Sequence, residues 1–358
     1  MTKIKQIEAD FFPFPVFVPP RYKLASLPTP FRPLDRLRKH IGGPRIWLKC
    51  DDYTGSVLTG NKVRKLEFIV GEALARDMDA LITCGGLQSN HCRATALVGA
   101  QLGLKVHLIL RGEQPNGHYD GNLLLDSLAG ADLDIYPPQH YQRHLTTLLS
   151  EKNAALEAEG LRPRLIPTGA SDATGLWGYL QAVSELQQDF EQHHIEPSAV
   201  ICATGSGGTQ AGLSLGFAVQ GANTQVIGMA VCDDTDYFYA KLRADMVDWF
   251  RTYTSMTDPD SMASVLSKVP IHVNDAYIGP GYAKGYNGVF ETIKLLARLE
   301  GVVLDPVYTG KAFYGLLEEI KQGRFKHNED LVFIHTGGIF GLFPYRNQLS
   351  GEWGKACL

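Results

Sequence analysis

Between Ile46 and Ile334 the chain alternates short, apolar, β-branched runs with longer amphipathic stretches, an order that few folds can accommodate. Strand-like runs fall at 46–49, 80–83, 105–110, 134–135, 164–166, 199–203, 225–229 and 331–334. Helical spacing occupies 65–77, 92–102, 121–128, 140–159, 175–190, 210–219 and 290–300. Strands separated by helices must run parallel with right-handed crossovers, so the fold class is α/β with open twisted parallel sheets. At 358 residues the chain exceeds the usual size of one core, which makes two domains the default. Residues 233–275, polar and aromatic, are expected to be helical. Residues 1–27, rich in Pro, Phe and Lys, read as an irregular arm.

Three junctions in this pattern carry chemistry. In the run 59–67, Lys62 follows Gly60 and Asn61 at the start of an amphipathic helix. A lysine at a helix start is usually just solvated, but one that forms a Schiff base takes an aldehyde partner, and pyridoxal phosphate is the obvious candidate. At 199–213 an apolar strand enters the glycine loop Gly205, Ser206, Gly207, Gly208, Thr209 and then a helical pattern. Converging backbone N–H groups and a helix N-terminus bind anions. The loop lacks the Gly-Lys-Ser/Thr ending and the dinucleotide fingerprint, so one phosphate monoester suits it better than a nucleotide, with a simple tight turn as the plainer reading. At 81–97 a third strand ends in a turn holding Gln88, Ser89, Asn90 and His91 in succession. An N-cap needs one such residue; four at a strand's C-terminal end fit a ligand crevice.

Taken together, the chain resembles the fold-type II pyridoxal-phosphate enzymes, and within them the D-cysteine desulfhydrase / 1-aminocyclopropane-1-carboxylate deaminase family. The resemblance rests on Asn61-Lys62-x-Arg64-Lys65-Leu66-Glu67, Gln88–His91, Gly205–Thr209, Gly279-Pro280-Gly281-Tyr282, Leu304–Lys311 and Ile334-His335-Thr336-Gly337-Gly338, in family order across residues 28–345. It implies a large cofactor-binding domain (1–65 plus 176–358), a small one (66–175), each an α/β/α sandwich, and a cofactor cleft between them. By the same resemblance Lys62 bears pyridoxal 5′-phosphate and acts on the substrate's Cα proton. Lys65 and Gly205–Thr209 hold the phosphate, Asn90 meets the 3′-hydroxyl, and Ser89 receives the substrate carboxylate with Gln88, Asn90 and His91. Tyr282 and Tyr308 face the reacting side chain, as acids or as plain lining. Thr309 and Thr336 stand by the pyridine nitrogen, where ring-opening deaminases carry Glu after the tyrosine. Hydroxyls there leave a weak electron sink, which favours β-elimination of a good leaving group.

Thr59, Cys84-Gly85-Gly86-Leu87 and Ile339-Phe340-Gly341 depart from the usual pattern, and as expected cleft-lining positions they bear on substrate identity. A net charge of −4 gives no basic footprint for nucleic acid, and no apolar run reaches membrane-spanning length. The N-terminal residues lack the apolar core of a secretory signal. Six cysteines (50, 84, 92, 202, 232, 357) without paired spacing read as reduced thiols in a cytoplasmic protein. Cys84 and Cys92 read as small buried hydrophobes, and His193-His194 as a wet helix end with no metal expected. The resemblance implies a homodimer and a small amino-acid substrate. Three readings stay open: a lyase converting D-cysteine to pyruvate, hydrogen sulfide and ammonia; a related enzyme acting as ring-opening deaminase, as cysteate sulfo-lyase or on another β-substituted amino acid; and a non-catalytic binding protein.

Overall fold

The computed structural model describes residues 12–256 and 258–349. It contains two sheets. The larger is built from β1 (Phe31–Pro33), β2 (Arg45–Lys49), β7 (Ala199–Thr204), β8 (Gln225–Ala230), β9 (His272–Asn274) and β10 (Asp330–Ile334), in the order β1-β2-β10-β7-β8-β9. The smaller holds β3 (Ala80–Gly86), β4 (Lys105–Arg111), β5 (Asp132–Tyr136) and β6 (Pro163–Leu165), in the order β5-β4-β3-β6. Every pair is parallel except β1–β2. β10 lies between β2 and β7, pairing Leu331 with Ile46 on one side and Ala199 on the other.

Alternation along each strand feeds both faces of the large sheet. Ile46, Leu48, Ile201, Leu331 and Phe333 pack into one core with helices Asn287–Glu300 and Thr309–Lys321. Trp47, Val200, Cys202, Val332 and Ile334 pack into another with helices Ala173–His193 and Gly208–Val219. The apolar runs that identified these strands thus supply two cores, one on each face of the sheet.

Helix Asn61–Ala75 belongs to both sheets. Leu66, Ile69, Val70 and Ala73 pack with Leu81 and Leu108 of the small sheet, whereas Phe68 packs with Trp177 and Trp249 on the large side. Its charged residues are buried as well. Arg64 pairs with Asp51 at 2.7 Å and Glu185 at 3.0 Å, and Tyr179 donates to Asp51 at 2.5 Å. Glu67 accepts from Arg21 and from the backbone N–H groups of Leu24 and Ala25. Two charges of the Lys62 motif therefore anchor the helix rather than do chemistry, and removing one partner of such a pair costs about 3–5 kcal/mol.

The expected strands and helices are all present, mostly longer than read. The helix at 121–128 falls where the sequence places it; those expected from 65, 92 and 210 start two to four residues earlier, because Asn61, Asn90 and Gly208 belong to the first helical turn rather than to the loop before it. β1 and β9 were not legible: each is a three-residue edge strand, too short to show alternation. Helices Asp35–Ile41 and Thr309–Lys321 also went unread. Residues 233–275 hold helices Thr235–Tyr253 and Pro259–Ser267, as expected, and then β9. Of the N-terminal arm, 12–27 contain no helix or strand beyond one bridge at Val16, and 1–11 lie outside the described residues.

Candidate active site

A cavity of about 490 Å³ opens where the C-terminal ends of β3, β4 and β7 and the loop after β10 meet the first turns of helices Asn61–Ala75, Asn90–Leu102 and Gly208–Val219. Open α/β sheets place ligands in this crevice. Lys62 lines it, half-buried, and its removal from water brings the ammonium down to about 8. Gly60 holds the helix start against the loop after β10. Its φ is +96°, and a Cβ there would sit 2.8 Å from the Thr336 carbonyl, which accepts from Asn61 N–H at 3.1 Å.

One corner is built for an anion. Lys65 is fully buried, with Nζ 3.2 Å from the Gly169 carbonyl and 3.3 Å from Ser171 Oγ, and among the described residues it makes no ion pair. Burial first, then the nearby Lys62, push its pKa well below the usual lysine range, a cost that a bound anion would offset. Above it, Gly208 N–H donates to Ser171 Oγ at 3.1 Å, and a Cβ on Gly208 would meet Lys65 Nζ at 2.7 Å. Thr209 Oγ1 accepts from Asn61 Nδ2 at 3.0 Å, leaving its own hydrogen to donate, and Ser206 Oγ accepts from Ser171 at 2.9 Å. Gly205, Ser206, Gly207 and Thr209 line the cavity; Lys65 and Gly208 stand just behind. A buried ammonium without a counter-ion at a helix N-terminus fits a phosphate dianion.

The polar turn divides in two. Ser89 caps helix Asn90–Leu102, accepting from Cys92 N–H at 3.2 Å, and lines the cavity with Asn90 and His91. Asn90 Oδ1 accepts from Asn122 at 3.1 Å, and among the described residues the Asn90 amino group has no acceptor. His91 Nε2 meets Thr83 Oγ1 at 2.7 Å; that hydroxyl donates to the Ile166 carbonyl, so the imidazole is the donor and its buried Nδ1 is a lone-pair acceptor without a partner among the described residues. Burial and the two lysines hold His91 well below the usual histidine range, hence neutral. Gln88 turns away: its side chain donates to the Asp120 carbonyl and accepts from Asn122 N–H, both at 2.9 Å, tying the turn to helix Gly121–Leu128 rather than facing a substrate.

Tyr282 and Tyr308 both line the cavity with hydroxyl oxygens 2.5 Å apart and rings edge to face. Burial raises Tyr282 to about 12 and Tyr308 well above the usual tyrosine range, so both are protonated at neutral pH. Thr336 lines the cavity, but Thr309 does not. Its hydroxyl donates to Asp305 at 2.7 Å and accepts from Asp305 N–H at 2.9 Å, because the first residue of that helix closes the loop before it.

The family model that matches this chain, over residues 22–337, is described as pyridoxal-phosphate dependent enzyme. The chain belongs to that family. Its cofactor is pyridoxal phosphate, and the two-sheet fold is that of the fold-type II members. The bifunctional D-cysteine desulfhydrase/1-aminocyclopropane-1-carboxylate deaminase of Arabidopsis thaliana is 39% identical over 93% of this chain and 82% of its own. A D-cysteine desulfhydrase of Yersinia pestis is 39% identical over 92% and 97%. A crystal structure of an ACC deaminase homologue superposes with a TM-score of 0.80 at 34% identity, covering 93% of this chain and 96% of that one.

Several lining residues of this enzyme escaped the sequence reading. Thr168, Gly169 and Ser171 follow β6 in a further strand–glycine turn–helix junction, a signal of the same kind as the three recognised. Arg111, Tyr141, Cys232 and Lys241 carried no motif. Of the departures from the family pattern, Gly85 and Gly86 line the cavity, whereas Thr59 donates to the Asp52 carbonyl, Cys84 packs on Ile109 and Tyr141, and Phe340 stacks 5.0 Å from the Arg93 guanidinium. Cys84 and Cys92 are buried hydrophobes as expected, the five described cysteines are unpaired, and Cys357 lies outside the described residues. Among the described residues no helix is long and apolar enough to cross a membrane.

The phosphate corner makes a direct prediction. Gly208→Ala forces its methyl into the place of Lys65 Nζ while adding no backbone strain, since Gly208 is already helical. Cofactor affinity is expected to fall about tenfold or more, a loss of ~1.4 kcal/mol, with little change in the melting temperature of the cofactor-free protein. Titration of the apo-protein with pyridoxal phosphate checks this; unchanged affinity would mean that the phosphate sits elsewhere.

Proposed function

We propose that the enzyme is a lyase that removes the β-substituent of a small amino acid, with D-cysteine as the physiological class of substrate, giving pyruvate, hydrogen sulfide and ammonia. When bound, pyridoxal phosphate supplies an electron sink for the bonds to Cα. In this reading Lys62 bears the cofactor, Lys65 with Gly205–Thr209 holds its phosphate, and the Asn90 amino group donates to its ring oxygen. Ser89 and the amides of the first turn at Asn90 and His91 receive the substrate carboxylate. The Lys62 amine takes the Cα proton. The Tyr282–Tyr308 pair, protonated and sharing one hydrogen bond, donates a proton to the departing sulfur.

The observation that carries elimination over ring opening is that the residue after Tyr308 is no carboxylate and that, of the two threonines, the hydroxyl of Thr336 is the one at the cavity. Thr309 is bonded to Asp305, and Thr336 is the threonine that reaches the cavity. A hydroxyl does not keep a pyridine nitrogen charged as a carboxylate would, and a weak sink suffices when the leaving group is good. The relatives' names include both D-cysteine desulfhydrase and 1-aminocyclopropane-1-carboxylate deaminase, which keeps ring opening as the second reading. We assign residues 66–175 to the small domain and 1–65 with 176–358 to the large one, and place the enzyme in the cytoplasm as a homodimer, as the resemblance implies.

Measuring 2-oxo-acid release from D- and L-cysteine, β-chloroalanine, serine and 1-aminocyclopropane-1-carboxylate tests this. D-cysteine or β-chloro-D-alanine is expected to exceed the cyclopropane by about a hundredfold or more in kcat/KM, ~2.7 kcal/mol of differential transition-state stabilisation. Comparable rates would overturn the threonine reasoning.

A further inference from the structure

Arg111, the last residue of β4, lines the cavity and has no part in the reading above. Its guanidinium lies 4.8 Å from the centre of the Tyr282 ring and 5.8 Å from that of Tyr141. Among the described residues no carboxylate comes within ion-pair distance of it and its side chain makes no hydrogen bond, whereas Lys241, also on the wall, is paired with Asp245 at 2.5 Å. With Lys62 committed to the cofactor and Lys65 to its phosphate, Arg111 is a wall cation that no carboxylate pairs among the described residues, Asp233 on the same wall included.

Its position fixes what it would meet. Arg111 pairs in register with Gly86, the residue that opens the Ser89–His91 turn, and a Cβ on Gly86 would lie 3.3 Å from the Tyr282 ring. An amino acid whose carboxylate rests on that turn, and whose β-substituent faces Tyr282 and Tyr308, brings that substituent to Arg111. A guanidinium fork matches planar or pyramidal oxyanions through two parallel hydrogen bonds. When the Cβ–S bond breaks, the electron pair goes to sulfur while Lys62 takes the Cα proton, so negative charge grows beside the guanidinium. With one water the net products are pyruvate, ammonium and the departing sulfur group.

We infer that Arg111 is a specificity-determining residue that selects amino acids whose β-substituent is an anion or leaves as one, with sulfonate and sulfinate as the best-fitting oxyanions alongside thiolate. This deepens the lyase reading and rests on its placement of the substrate.

The test compares binding, read from the cofactor's absorbance on adding each enantiomer of cysteate or of alanine, in the holoenzyme and in Arg111→Met and Arg111→Lys. One enantiomer of cysteate is expected to bind wild type about tenfold tighter than the matching alanine. Arg111→Met should erase that advantage while changing the affinity for alanine, which carries no β-substituent, by less than about threefold, and Arg111→Lys, which keeps the charge, should retain a several-fold advantage. No preference for cysteate in wild type overturns the proposal. So does an equal loss for cysteate and alanine in Arg111→Met, which would assign Arg111 to the α-carboxylate or to packing. Because binding is read without turnover, failure to release a 2-oxo acid would sink the lyase reading and leave this comparison intact.

Discussion

Lys62→Ala is expected to yield a folded protein without the yellow absorbance of the bound cofactor and with elimination activity reduced by about a thousandfold or more. No other amine takes its place: Lys65 is locked beneath Gly208, and Lys241 is paired with Asp245. Borohydride reduction of wild type followed by peptide mapping should mark Lys62; a label on another lysine would sink the assignment. The pH dependence of reconstitution gives a second reading of the same residue. Only the neutral amine attacks an aldehyde, and the Lys62 ammonium in the cofactor-free protein titrates at about 8. Recombination with pyridoxal phosphate should therefore speed up as pH rises towards 8 and level off above it, well below the point expected for a solvated lysine.

Tyr282→Phe is expected to lower kcat for D-cysteine by about a hundredfold, within the range set by removing a positioned proton donor, while cofactor binding stays near wild type. The phenol ring lies beside Gly86, and its loss leaves Tyr308 without the partner 2.5 Å away. β-Chloroalanine should suffer much less, because chloride departs without needing a proton. Since the acid is the protonated phenol and Tyr282 titrates at about 12, wild-type kcat should show no loss attributable to these tyrosines up to about pH 10. Equal damage to both substrates in Tyr282→Phe would mean that the ring packs the cavity without donating a proton.

The junctions were legible because each combines a strand end, a turn and the start of a helix in a few adjacent residues. That local grammar correctly placed Lys62, Ser89, Asn90, His91 and the glycine loop on one cavity. It could not say which way neighbouring side chains point. Gln88 lies beside Ser89 yet bonds to Asp120 and Asn122, contacts made with a helix more than thirty residues on. Thr309 is adjacent to Tyr308, but the Asp305 carboxylate claims its hydroxyl. Arg111 and Tyr141 had no local mark at all, since only the pairing of β4 with β3 and the packing of helix Pro138–Ala158 bring them to the wall. Arg64 and Glu67 show the reverse case: a motif reads as one unit, yet half its charges serve the scaffold.

The central place of β10 has a bearing on biosynthesis. Being the last strand among the described residues and yet the one that joins β2 to β7, it leaves the large sheet in two separate halves until the ribosome has delivered it. Such distant pairings make folding slow and leave strand edges open in the meantime. The nascent chain carries Lys62 long before Thr336 and the loop after β10 arrive to close the wall around it. Capture of the cofactor must therefore be a late event in the life of each molecule, and a chain interrupted before residue 330 would be a dead end, with edges that invite aggregation.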